Sequence, residues 1–311
     1  MSAKPPNKTL QPTGLGASCP RGFPSKDEMA DTVFGIYGFD FSKQFTVSQA
    51  ELVPCHGFPE CQSLAQDRTH LFLTGYGILP ESRASADIDQ SDFVRRLADG
   101  MTFCQQQMVI STRLTQISAG DSIAHMITSG GLPESLPILG DRHTPGAAIG
   151  NDTFYPGSRT LFLKLFLAHT ERASADHPLT AAFYRQIEIW KLSQAYVEIE
   201  HFLAYSGLEI LARAYGADPN NKNVAVPLSG FLRSHGFAVS QALAEDWAAA
   251  RNALFHRGQL ETMAPGSGNL VRITDQLYAL GSLLADVSLK QLGFDDGHIN
   301  WARWQDRMPF G

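Results

Sequence analysis

PLTAAFYRQIEIWKLSQAYVEIEHFLAYSGLEILARAYG, residues 178–216, carries a helical hydrophobic period. Apolar residues recur every three to four positions, as the buried face of an amphipathic helix requires. Pro178 suits a first helical turn and Gly216 a stop, so the stretch reads as two helices or one long bent one. Within it, FYRQIEIW is an amphipathic core segment. The same period begins near residue 160 and returns downstream. LSGFLRSHG makes a short helix after the loop ADPNNKNVAVP. VSQALAEDWAAARNALFHRG makes a helix with Ser240 at its cap and Gly258 at its end, and NLVRITDQLYALGSLLADVSLKQLG makes the last long one. Residues 159–311 therefore read as an all-α bundle of four to five helices.

Upstream the pattern differs. VFGIYGFDF, QFTVSQAELV, HLFLTGYGIL and TFCQQQMVISTRL are rich in β-branched and aromatic residues, alternate in part, and are separated by Gly, Pro and Asp clusters. QSDFVRRLADG reads as a short helix capped by Ser91 or Asp92 and stopped by Gly100. Residues 30–158 are thus expected to form a β-rich domain, an antiparallel sheet or sandwich, with 129–158 as a linker or surface excursion. The predicted class is α+β and multidomain, which suits 311 residues. Residues 1–29 carry Pro, Gly, Ser and Lys without an apolar period and are expected to form a disordered tail. In it, NKTLQPT resembles peptides translated from bacterial repeat DNA beside mobile gene cassettes, which makes Met29 an alternative start to Met1.

Composition narrows the function. At 43% hydrophobic and 18% charged the chain is ordinary globular protein, and a net charge of −6 gives no overall field for collecting polyanions. Any RNA contact must come from a local patch. Four cysteines (Cys19, Cys55, Cys61, Cys104) do not make a disulfide framework. No window is apolar enough to span a membrane, and the first residues lack the apolar run of a secretory signal, so a cytoplasmic location is expected. The spacing of Cys55, His56, Cys61 and His70 is poor for zinc, so no metal and no cofactor is expected. TSGGLPES (128–135) lacks the Lys of a phosphate loop, and Ser111, Ser122 and Ser129 lack the pattern of a nucleophile elbow. His298, Trp301 and Trp304 are expected to pack on the bundle.

The chemistry is concentrated in WAAARNALFHRGQLE, residues 247–261. On a helical wheel Leu243, Trp247, Ala250 and Leu254 form a core face. Gln241, Glu245, Asn252 and His256 form a polar stripe, with Ala248 and Ala249 beside it. Arg251 and His256 lie about 140° apart, too wide for one compact site on one helix. The small alanines would admit a second copy of the helix, and a two-fold axis would bring two Arg–His pairs into one cleft.

Arg251-Asn252-Ala-Leu-Phe-His256, followed by Arg257-Gly258 and preceded by the helix carrying SGLEILARAY, resembles the Arg–polar–x3–His motif of the HEPN family. The likeness covers roughly 178–293 and is nearest to its abortive-infection branch, in which such a helical domain follows a β-rich one. It implies a metal-independent endoribonuclease, active as a homodimer, that leaves 2′,3′-cyclic phosphate and 5′-hydroxyl ends. It implies Arg251, Asn252 and His256 as catalytic residues, with Glu245 and Glu209 in support. The residue types suit that work. Histidine titrates near neutrality and serves as base or acid, and Arg251 offers a planar fork to phosphate oxygens. A toxin-like role in anti-phage defence follows from the same resemblance, with a phage-derived or nucleotide trigger acting on the N-terminal domain. The alternative from another class is a non-catalytic dimeric helical module that binds nucleotide or protein through the same stripe.

Overall fold

The computed structural model describes residues 31–79, 90–117, 122–129, 131–138, 140, 146–192 and 196–310. The expected tail, with Cys19 and Met29, lies outside them. In chain order the N-terminal region holds β1 (Thr32–Tyr37), β2 (Phe45–Val47), β3 (Ala50–Pro54), α1 (Phe58–Ala65), β4 (His70–Leu79), α2 (Gln90–Gln105), β5 (Ile110–Ser111), β6 (Thr115–Gln116), α3 (Ile123–Thr128) and β7 (Ser135–Pro137). The helical region follows with α4 (Ser158–Arg172), α5 (Pro178–Lys191), α6 (Val197–Tyr215), α7 (Ala225–Ser234) and α8 (Gln241–Arg257). It closes with the hairpin β8 (Glu261–Met263) and β9 (Leu270–Arg272), α9 (Ile273–Leu292) and α10 (Arg303–Asp306).

Strands β1 to β7 make one antiparallel sheet in the order β2-β3-β4-β1-β5, with β6 on β1 and β7 on β4. β4 is its spine and coincides with HLFLTGYGIL. Two phenylalanine rings fill the space its glycines leave open: Phe41 lies over Gly75 and Phe34 over Gly77, where a Cβ would fall inside the rings. QFTVSQAELV folds into the β2–β3 hairpin.

TFCQ, expected as strand, is instead the end of α2. Phe93, Leu97, Met101 and Cys104 are buried along one face of that helix, so helical period outweighs local β propensity. Gly100 does not stop it. Leu163 and Phe166 of α4 pack where its side chain would stand, so its smallness serves a close helix crossing. Residues 129–158 are no mere linker either: Leu132, Ala148 and Ile149 are buried, and β7 joins the sheet.

α5 and α6 divide the opening stretch in two, with Pro178 in the first turn and Gly216 at the C-cap. α6 packs on α5, α7 and α9, and α8 packs on α7 and α6. The five helices α5 to α9 are those the period predicts, and α4 precedes them. Leu270–Arg272 is strand and not helix: β9 pairs with β8, Thr262 opposite Val271. One apolar core runs from Phe34 in the sheet through Phe103, Phe162 and Phe183 to Leu284 and Trp304.

Two buried arginines stitch the regions. Arg159 at the start of α4 pairs with Asp40, whose carboxylate and carbonyl also accept from Asn151. Arg303 of α10 pairs with Asp286 of α9 and donates to the carbonyls of Ala147 (3.2 Å) and Ala148 (3.3 Å). No helix among the described residues is long and apolar enough to cross a membrane.

Candidate functional site

α8 is cut at both ends by the residues its sequence suggests. Ser240 Oγ accepts from the amide of Leu243 at 3.1 Å, and Gly258 takes the left-handed conformation (φ 64°) that closes the last turn. Trp247 and Ala250 face the core as expected, whereas Leu243 and Leu254 are only half-buried. Ala244, Ala248 and Ala253 are buried instead, because small side chains let α8 sit close against its own bundle. Ala248 is therefore consumed within the protomer, and Ala249 is the alanine of that pair left nearer the surface.

The polar stripe is solvent-facing. Gln241, Asn252 and His256 are exposed and Glu245 is half-buried. Arg251 leans away from His256, toward α6. Its Nη1 donates to Asn252 Oδ1 at 3.0 Å and its Nη2 lies 3.9 Å from Glu209 Oε2. Its guanidinium sits over Phe255 (5.3 Å) and Tyr205 (6.0 Å). Glu209 also holds Arg213 of its own helix at 3.0 Å. The structure thus links Arg251 to Asn252 and Glu209, and among the described residues no hydrogen bond or ion pair joins His256 or Glu245 to these three. Glu245 accepts from Gln241 Nε2 at 2.9 Å. The Asn252 side-chain oxygen accepts from Arg251.

A buried pair below the surface escaped sequence reasoning. Tyr205 lies under Arg251 and stacks nearly parallel on His201 (6.2 Å, 6°), whose Nε2 meets Gln276 Oε1 of α9 at 3.0 Å. Burial holds the His201 ring below the usual imidazole range, partly offset by Gln276, so it is a neutral packing element. Burial likewise pushes the Tyr205 hydroxyl up, aided by Glu209. The signal was present: His201, Tyr205 and Glu209 are spaced four apart on one face of α6.

The β8–β9 hairpin is fixed to α8 by Asp246, whose buried Oδ1 accepts from the amides of Gly266 (2.9 Å) and Ser267 (3.1 Å). Apolar side chains are also exposed on α6, α8 and the segment after it. Phe255 packs on Phe202 at 5.0 Å, and both are exposed together with Ile199, Leu260, Met263 and Leu270. At the other candidate loop Cys61 is buried and directs its thiol to the carbonyls of His56 and Thr74, as a packed cysteine does. No group of three metal-ligating side chains occurs among the described residues. Comparison of the chain with family models, with curated proteins and with solved structures returns no match.

Proposed function

We propose that the protein is a metal-independent endoribonuclease whose site is completed by two copies of α8, acting as a toxin-like effector in anti-phage defence. The observation that carries this reading is the placement of Arg251. It is held half-buried by Asn252 and Glu209 and backed by Tyr205, while His256 stands exposed beyond it on the same helix. A guanidinium positioned before substrate arrives costs little reorganisation when charge develops on phosphorus. One imidazole takes the proton of the 2′-hydroxyl as its oxygen attacks phosphorus. A second, protonated imidazole gives its proton to the departing 5′-oxygen. The products are a 2′,3′-cyclic phosphate and a 5′-hydroxyl. DNA, without the 2′-hydroxyl, is not cleaved. A single α8 supplies one His256, so the second comes from a partner copy.

The apolar edge formed by Phe202, Phe255 and Ile199 beside the site supports that pairing. Light scattering at micromolar concentration is expected to give the mass of a dimer, and Phe255→Asp to shift it to monomer with loss of cleavage. A monomeric wild type that still cuts RNA would sink the two-copy site. For the reaction itself, purified protein and end-labelled RNA are expected to give cyclic-phosphate products at undiminished rate in excess chelator. Metal dependence with 5′-phosphate ends would refute it. One observation favours the competing reading, a non-catalytic module that binds nucleotide or protein: among the described residues no side chain orients the His256 ring. Absence of cleavage by the wild-type dimer would select it.

A further inference from the structure

One row of side chains on α6 is turned outward. Glu198, Phe202 and Ser206 follow one another at four-residue spacing, with Ile199 beside them. Glu198, Ile199 and Phe202 are exposed and Ser206 is half-buried. Against Ser206 lies Arg185 of α5, whose Nε donates to Ser206 Oγ at 2.9 Å and whose Nη1 donates to the carbonyl of Ala181 at 3.3 Å. Arg185 is half-buried, and among the described residues no carboxylate pairs with it. Arg213 and Arg251, by contrast, share Glu209. Burial holds the Arg185 guanidinium below the usual arginine range, and no neighbouring charge raises it. Its Nη2 has no partner among the described residues and is not enclosed. On the other side of Phe202, Glu198 is an exposed carboxylate without an ion pair among the described residues.

We infer that a second copy of the chain pairs on this row, with Arg185 of each copy meeting the partner's Glu198 on either side of Phe202. The row carries its own complement. Phe202 stands at its middle, with the carboxylate four positions before it and the cation held four positions after it. Laid antiparallel against itself about a two-fold axis beside Phe202, the row sets Glu198 of one copy opposite Ser206 and Arg185 of the other, and the reverse. Rows of side chains four apart are what helices most often present to one another. The two Phe202 rings meet at the axis, and Phe255, 5.0 Å from Phe202, widens the apolar centre. Covering that centre also takes water from Arg185, so a stable pairing needs an opposite charge across the face. Glu198 supplies it once from each copy. A phosphate would satisfy Arg185 too, but Glu198 on the same row repels one.

The inference rests on the two-copy reading of the site and puts its axis on α6. Charge reversal in the full chain tests it by light scattering. Arg185→Glu and Glu198→Arg each set two like-charged pairs across the axis. Each is expected to weaken the dimer about a hundredfold or more, and so to run as a monomer where the wild type is a dimer. Mixed in equal amounts, the two variants carry opposite charges at both contacts, and the mixture should regain the dimer mass. The chain with both reversals should dimerise by itself. Recovery on mixing also shows that each variant was folded, although Arg185→Glu gives up the bond to Ser206. Cleavage of labelled RNA by the same samples separates the two readings. A dimer that obeys the reversals but cuts no RNA keeps this inference and removes the nuclease. A nuclease dimer that neither reversal disturbs does the opposite. A monomeric wild type, or a mixture that stays monomeric, would overturn the inference. So would RNA binding lowered by Arg185→Glu at unchanged dimer mass, which assigns Arg185 to a phosphate.

Discussion

His256→Ala is expected to lower RNA cleavage by roughly 10²–10⁴-fold, the range lost when a general acid–base is removed, with no change in melting temperature. The second half of that expectation follows from exposure. The ring lies on the solvent-facing stripe of α8 and contributes nothing to the core, so its removal opens no cavity. Arg251→Ala is expected to cost about 10²–10³-fold, as for loss of one donor to a transition-state oxyanion. The two substitutions differ in what else they disturb. Arg251 covers Tyr205 and Phe255 and lies 3.9 Å from Glu209, so Arg251→Ala also uncovers an aromatic surface. Arg251→Lys keeps the charge and part of the stem but loses the planar fork, and it is expected to restore the melting temperature better than the rate. Rates on a labelled RNA, read beside thermal melts of each variant, separate the two effects. Full activity in His256→Ala would overturn the mechanism.

Much of the path to this site was readable before the structure. Both caps of α8 are local: Ser240 acts on the amide of Leu243, and Gly258 acts through its own backbone angle. The same is true of β4, whose apolar residues and glycines lie within ten consecutive positions. What escaped is set across space. Gly100 reads as a helix stop until Leu163 and Phe166 arrive from α4. NLVR reads as the start of a helix until Asp246, twenty positions before Gly266, binds the turn of the hairpin. The wheel for α8 put Leu254 in the core and Ala248 beside the stripe. In the structure Ala244, Ala248 and Ala253 are buried and Leu254 is only half-buried, so the buried arc of α8 is wider than its large apolar residues mark, because small side chains are covered by the neighbouring elements as readily as large ones. Glu209 was reached only through the family resemblance, since no local pattern connects positions 209 and 251. His201 and Tyr205 were missed because a buried polar pair inside an apolar helix looks, by period alone, like core.

The largest loss of stability is expected from Arg303→Met, about 3–5 kcal/mol, the range for removing one partner of a buried ion pair. Asp286 is completely buried and Arg303 nearly so. Taking away the guanidinium leaves a carboxylate inside the protein and frees the carbonyls of Ala147 and Ala148. Those carbonyls belong to the segment before α4, so the substitution also loosens the join between the sheet region and the bundle. The pH dependence has a definite sign. Burial pushes the Asp286 carboxyl up and Arg303 pulls it back only in part. Without Arg303 it rises further, and the native state takes up a proton more readily than the unfolded chain. A carboxyl raised in the folded state contributes stability at low pH that is lost as pH rises through its folded value. The deficit of Arg303→Met should therefore be greatest near neutrality and shrink toward about pH 4, where the unfolded chain also protonates its carboxylates. The paired change Asp286→Leu with Arg303→Met removes both charges, and it should recover most of the loss, since apolar groups in place of a buried ion pair are often neutral or better. Urea unfolding of the two single variants and the double, at neutral and acidic pH, measures all of this. A single-variant loss under about 1 kcal/mol, the worth of an exposed pair, would show that Arg303 does not hold the two regions together.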